Sequence, residues 1–284
     1  MLNVRSFNDL NRTVAVNLHK LDRNQFDVIV GIPRSGMLPA TLLATHLQLP
    51  LTDVESFRAG LLWGRSGVKL HAKPGVRVLL VDDSCNKGRA MQRAVELIRP
   101  RAGLITRFAV YGPYQVEHPE ELVDIAFETV RGPRVFQWNL WKHKRMERWG
   151  FDFDGVLCRD PTNHENDDGP RYIEFLRNAE PMHLPSRPLG AIITGRLEKY
   201  REQTEEWLLR RNVVYRRLVM CPYATKAERM ARGGRGQWKA EVMSELGLEF
   251  FIESNPKQAR IIASRAGRPV WCTETQECYQ GVEP

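Results

Sequence analysis

The apolar run Val78–Val81 ends abruptly on two adjacent carboxylates, Asp82 and Asp83, and a loop of small and polar residues leads from them into a helical pattern. A short apolar run that delivers acids to its carboxyl end and returns through a helix reads as a parallel strand of an α/β sheet. The arrangement recurs at residues 148–154, where RWGFDFD closes on Asp152 and Asp154. Strands are expected over 26–30, 76–81, 108–111, 124–129 and 135–138, and again over 148–152, 191–193 and 249–252. Helices are expected over 7–20, 88–98 and 198–210, and after the last strand to Ala266. At 284 residues the chain is long for one domain, since domains commonly run to about 100–200 residues. The expected fold class is α/β, with two parallel-sheet Rossmann-like domains at residues 1–145 and 146–284. The basic stretch WKHKRMER (141–148) is the expected connector.

Charge narrows the partners. Lys and Arg number 42 against 34 Asp and Glu, a formal net charge of +8. Such a surplus favours anionic ligands: phosphate esters, nucleic acid or a charged surface. Five scattered cysteines without a CxxC pair describe neither a disulfide framework nor a zinc site, so a reduced, cytoplasmic setting is expected. No apolar run approaches the ~18 residues of a membrane span, and the first residues, MLNVRSFNDL, lack the apolar core of a signal peptide.

The segment VLLVDDSCNKGRAM (78–91) suits a phosphorylated sugar. Backbone N–H groups from Ser84 to Ala90 and the helix start can wrap a phosphate, and Gly88 lets the chain approach closely. Asp82 and Asp83 can accept hydrogen bonds from vicinal ribose hydroxyls, directly or through magnesium. The segment resembles the PRPP-binding motif of the type I phosphoribosyltransferases. The resemblance implies that Asp82, Asp83, Ser84, Asn86, Lys87, Gly88 and Arg89 form the cradle. Upstream, VIVGIPRSGMLPA (28–40) is similar to that family's pyrophosphate loop, which implies roles for Arg34, Ser35 and Gly36. The basic, glycine-bearing stretch 56–73 resembles the loop that closes over PRPP, and implies a contact from Arg58. RVFQWNLW (134–141) resembles the strand that holds the base in purine-type members, implying stacking on Phe136 or Trp138. The loop SCNKGRA departs from the family's usual threonine- and glycine-rich composition.

FDFDGVL (151–157) carries a second chemistry. A carboxylate nucleophile for phosphoryl transfer belongs at a strand end, with a second acid two residues on. In extended backbone Asp152 and Asp154 would point to one side. Asp152 would attack phosphorus, and Asp154 would protonate the leaving oxygen and later activate water. The motif resembles the first motif of the haloacid dehalogenase-like (HAD) phosphatases. That resemblance implies that Thr194, in AIITGR (191–196), binds the phosphoryl group. It makes Lys239, in GQWKAEVM, the electrostatic bridge, with Lys226 as its competitor. Glu253, in LEFFIESNPKQA (248–259), would hold Mg2+ together with Asp152 and Asp154. Many relatives have two acids where this chain has Glu253–Ser254–Asn255. The inserts of 37 residues between Asp154 and Ile192, and 42 between Arg196 and Lys239, imply a minimally capped fold.

Together these resemblances imply a bifunctional enzyme of nucleotide metabolism. It would transfer phosphoribose from PRPP to a base-like acceptor and hydrolyse a phosphomonoester through an aspartyl-phosphate. The alternative is a PRPP- or nucleotide-sensing regulatory protein, or a nucleic-acid-binding one such as a polynucleotide-end phosphatase. A nucleic-acid partner is the less favoured, because no aromatic–glycine RNA-binding motif accompanies the charge. The sequence leaves a homo-oligomer open.

Overall fold

The computed structural model describes residues 2–223, 228 and 234–281. Lys226 lies outside the described residues. The chain divides into two compact units, Phe7–Arg134 and a second made of Met1–Ser6 with Val135–Pro284. The division falls earlier than residue 145, and the first six residues cross to the second unit. The reason is local: the opening strand β1 (Asn3–Arg5) pairs with a strand past residue 133, and Leu2 and Val4 are buried in the second unit's core.

The first unit begins with α1 (Phe7–Asn17), then β2 (Val28–Gly31), α2 (Met37–Leu47), β3 (Leu51–Asp53), α3 (Val54–Arg58), β4 (Leu61–Trp63), β5 (Lys69–His71), β6 (Val76–Ser84), α4 (Arg89–Ile98), β7 (Ala102–Gly112) and β8 (Ile125–Thr129). Its sheet has the order β5-β4-β3-β2-β6-β7-β8. The pairs among β3, β2, β6, β7 and β8 are parallel, and β4 and β5 close the edge as an antiparallel hairpin. Stretch 56–73 is therefore built into helix and hairpin rather than left as an open loop. Alternation along β6 sends Val78 and Leu80 into one core with Met91, Ala94 and Ile98 of α4. Leu79 and Val81 turn to the opposite face, where α2 packs on β2 and β6. Burial on both faces is why these strands read as continuous apolar runs.

The second unit follows: β9 (Arg134–Phe136), β10 (Trp149–Phe151), α5 (Pro170–Asn178), β11 (Leu189–Leu197), α6 (Arg201–Arg210), β12 (Tyr215–Cys221), α7 (Gly234–Glu245), β13 (Phe250–Glu253), α8 (Pro256–Ala266), β14 (Val270–Cys272) and β15 (Glu277–Tyr279). The expected strand 135–138 stops at Phe136, and residues 137–142 coil into 3-10 turns. The sheet order is β12-β11-β10-β13-β14-β15, parallel except for the closing β14–β15 hairpin. Phe250 and Ile252 face the core shared by Trp149, Phe175 and Trp207. Phe251 faces the other, with Trp238, Met243 and Ile262.

Candidate functional site

Each unit gathers its acids where the strand order reverses, the usual ligand crevice of an open parallel sheet. In the first unit β2 is flanked by β3 and β6, so the loop after β2 and the end of β6 are neighbours. Ile32 N–H donates to the Val81 carbonyl at 2.9 Å. A Cβ on Gly36 would stand 2.5 Å from the Ile32 carbonyl oxygen, 2.8 Å from that of Val81 and 3.0 Å from Asp82 Cα. The turn 33–36 is thus pressed onto the acid pair, and only glycine permits the contact. The Pro33–Arg34 peptide bond is cis. Arg34 is exposed and Ser35 half-buried at this turn.

Asp82 and Asp83 are both buried, and Asp83 N–H donates to Asp82 Oδ1 at 2.9 Å. Burial, and then the neighbouring Asp83, push the Asp82 carboxyl up to about 8. Ser84 ends β6, Asn86 and Lys87 are exposed, and Gly88 takes the left-handed conformation (φ +66°) that caps α4 ahead of the exposed Arg89. Arg134, to which the sequence assigned no part, fixes this loop: its guanidinium donates to the carbonyls of Cys85 at 3.2 Å and Gly112 at 3.1 Å. Arg58 sits instead at the end of α3, paired with Glu55 at 2.6 Å. One helical turn separates the two residues, so the pairing is local. Phe136 and Trp138 stack on each other, centroids 5.0 Å apart, and belong to the second unit.

In the second unit β10 lies between β11 and β13. Asp152 follows β10 directly, its N–H donating to the Ile252 carbonyl at 2.8 Å and its Oδ1 accepting from Phe153 N–H at 2.8 Å. From α7, Lys239 Nζ reaches Asp152 Oδ2 at 2.7 Å and Glu253 Oε2 at 2.7 Å. Glu253 Oε1 accepts from the N–H groups of Ser254 and Asn255, at 3.0 and 3.1 Å. Lys239 and Glu253 are fully buried. Burial alone would lower the lysine, but Asp152 and Glu253 outweigh it and hold the ammonium above its usual range. Burial and the nearby Glu253 push Asp152 up to about 8.

Asp154 is not aligned with Asp152 by strand alternation. The chain turns at once, with Leu157 N–H on the Phe153 carbonyl and Gly155 at φ +76°. Its orientation comes from Arg196, a buried arginine that the sequence leaves without a role. The guanidinium donates to Asp154 Oδ1 at 2.6 Å through Nη2 and at 3.1 Å through Nε, lies over the Phe153 ring at 3.8 Å, and reaches Thr204. Thr194 is fully buried, and its Oγ1 accepts from Arg196 N–H at 3.2 Å. The structure thus joins Asp152, Lys239 and Glu253 directly and Thr194 with Asp154 through Arg196. Among the described residues no group of three His, Cys, Asp or Glu is disposed to hold a metal ion.

Residues 2–141 match the phosphoribosyl transferase domain model. Over 107 residues the chain is 34% identical to the xanthine-guanine phosphoribosyltransferase of Chromohalobacter salexigens, covering 37% of this chain and 65% of that protein. Over 82 residues it is 33% identical to the orotate phosphoribosyltransferase of Sinorhizobium fredii, covering 28% and 34%. A solved purine phosphoribosyltransferase from Pyrococcus horikoshii aligns at 19% identity and a TM-score of 0.36, over 48% of this chain and 93% of that one. The chain spans less than two thirds of the length of these two curated relatives. Its first half carries a type I phosphoribosyltransferase domain. No helix among the described residues is long and apolar enough to cross a membrane.

Proposed function

We propose that the chain is bifunctional, transferring phosphoribose from PRPP to a base-like acceptor in its first unit and hydrolysing a phosphomonoester in its second. The first activity rests on one observation: the turn around Gly36 and the acid pair Asp82–Asp83 meet at adjacent strand ends, within a segment that matches the phosphoribosyl transferase domain. Arg34 and the amides after Asp83 would hold the diphosphate. The acids would hold the ribose hydroxyls, with magnesium neutralising the diphosphate charge. The similarity to xanthine-guanine and orotate enzymes supports a nitrogenous base as acceptor.

The second activity, and the minimally capped HAD-type fold with it, is favoured by Lys239, which is buried and bridges Asp152 and Glu253. Asp152 would form a bond to phosphorus while the ester oxygen leaves with a proton from Asp154. Asp154 would then take a proton from water, whose oxygen attacks phosphorus and releases the carboxylate. The donors are all oxygens, which suits magnesium. Asp152, Asp154 and Glu253 are not gathered into one ligand set here, Glu253 being held by Lys239 and Asp154 by Arg196, so no step is routed through an ion. A reducing, cytoplasmic setting fits this pair of activities.

The test is incubation of the full chain with PRPP, Mg2+ and a panel of bases, following pyrophosphate and phosphate separately. Base-dependent pyrophosphate release lost in Asp83→Asn, and phosphate release lost in Asp152→Asn, are expected. PRPP binding without pyrophosphate release would favour the sensing alternative, and tight salt-sensitive nucleic-acid binding would favour the other.

A further inference from the structure

Thr194 and Gly195 stand at the carboxyl end of β11, beside the strand that delivers Asp152. A Cβ on Gly195 would meet Arg235 Nε at 2.8 Å, Cδ at 2.9 Å and Cζ at 3.3 Å. The Arg235 guanidinium therefore lies against Gly195, where a side chain would displace it. Arg235 belongs to the first turn of α7, four residues before Lys239, so both cations share one face of the helix. The two have different fates. Lys239 is fully buried on Asp152 and Glu253, whereas Arg235 is exposed.

Among the described residues Arg196 is committed to Asp154, as Arg159 is to Glu165 and Arg171 to Asp167. Among the described residues Arg235 makes no hydrogen bond or ion pair. It does feel Asp160, which burial and the charges of Asp154 and Glu253 raise and which Arg235 and Lys239 lower. Asp160 Oδ2 in turn would lie 2.7 Å from a Cβ on Gly155, in the turn that carries Asp154. Arg235 thus lies against Gly195, the residue after Thr194, within electrostatic reach of Asp160, and among the described residues its planar set of donors is uncommitted. A guanidinium so placed matches the paired oxygens of a phosphoryl group.

We infer that Arg235 is a substrate-contacting residue of the second unit, gripping non-bridging oxygens of the phosphoryl group that Asp152 attacks. The inference rests on the phosphomonoesterase reading and deepens it. Lys239 holds the nucleophile, and Arg235 holds the group being transferred. Because Arg235 meets the phosphoryl group from the solvent side, its loss weakens ground-state binding more than it slows the chemical step.

The experiment compares wild type, Arg235→Gln, Arg235→Lys and Asp152→Asn as full chains with p-nitrophenyl phosphate, using inorganic phosphate as competitor. The inhibition constant is read on Asp152-dependent hydrolysis, so phosphate held elsewhere on the chain does not enter. Arg235→Gln is expected to raise both KM and the phosphate inhibition constant about tenfold, the loss of one charge-assisted contact, with kcat falling less. Arg235→Lys should restore part of the affinity by its charge. Unchanged KM and inhibition constant in Arg235→Gln overturn the inference and leave the phosphatase reading standing. A kcat loss without a KM change, equal in Gln and Lys variants, overturns it too, as a structural role would give that pattern. Wild-type hydrolysis that is absent, or that survives Asp152→Asn, overturns both.

Discussion

Lys239 Nζ stands 2.7 Å from Asp152 Oδ2 although 86 residues separate them in the chain. The lysine spans two carboxylates, and each partner is inaccessible to water or nearly so. Removing it leaves two buried acids without their cation. Lys239→Met is expected to cost about 3–5 kcal/mol in the second unit, the range for breaking a buried ion pair from one side. Urea unfolding followed by tryptophan fluorescence measures it. The proposed phosphomonoester hydrolysis should fall by roughly 10²–10³, as for loss of one preorganised charge-stabilising group.

Asp82 makes the first unit sensitive to alkali. Its folded-state value, about 8, lies above the ordinary 3.8, so the folded unit holds a proton that the unfolded chain releases. That contribution is complete below pH 4 and is lost as pH rises through 8. Asp82→Asn should flatten the pH dependence of that unit's melting temperature between these limits. Ionising the acid is also what ribose or magnesium binding needs, so PRPP with Mg2+ should bind with proton release, measurable by calorimetry in two buffers.

Gly36→Ala forces a methyl group against two carbonyl oxygens and the Asp82 backbone. Neighbouring backbone cannot swing aside as a side chain could. A loss of about 1–3 kcal/mol is expected from overpacking, together with loss of PRPP binding. A thermal melt with and without PRPP separates the two effects.

Arg196 holds Asp154, so the two should fail together. Asp154→Asn is expected to lower kcat by about 10²–10⁴, the worth of general acid–base catalysis. Arg196→Lys, which keeps the charge but loses the fork, should lower kcat at constant KM. Asp154→Asn combined with Arg196→Lys should lose little more than either alone, which a double-mutant cycle measures.

Deleting residues 2–5 should destabilise the second unit and spare the first. Leu2 and Val4 are buried in the core that holds Trp149 and Phe151, and each buried side chain of that size contributes roughly 1.5–3 kcal/mol. Hydrogen exchange should rise at Trp149–Phe151 and stay unchanged at Val78–Val81.

Strands and their acids were legible because both signals are local. Val78–Val81 and Trp149–Phe151 are apolar on both faces, as buried parallel strands must be, and a carboxylate cannot continue such a run. Each apolar run ends on its acids, although β6 itself continues through Asp82 and Asp83 to Ser84. Lys239 and Glu253, which the sequence singled out by motif resemblance and spacing, are brought together with Asp152. Less could be read where a residue's role depends on a distant partner. Arg58 was assigned to PRPP from a resemblance, and its pairing with Glu55 one helical turn away was not part of that reading. Asp154 was assigned an orientation from strand alternation, and the turn after Phe153 replaced that with a hold from Arg196, 42 residues on.

Sequence by itself thus determined two α/β sheets with acids at their strand ends, since alternation and composition act over a few residues. Tertiary structure decided which cations meet which acids and where one unit ends. It carried β1 across to the second unit, set Arg134 under the Cys85 loop, and laid Arg235 against Gly195. Those relationships depend on how strands are ordered in a sheet, and pairing between segments far apart in the chain leaves no mark in the local pattern of either one.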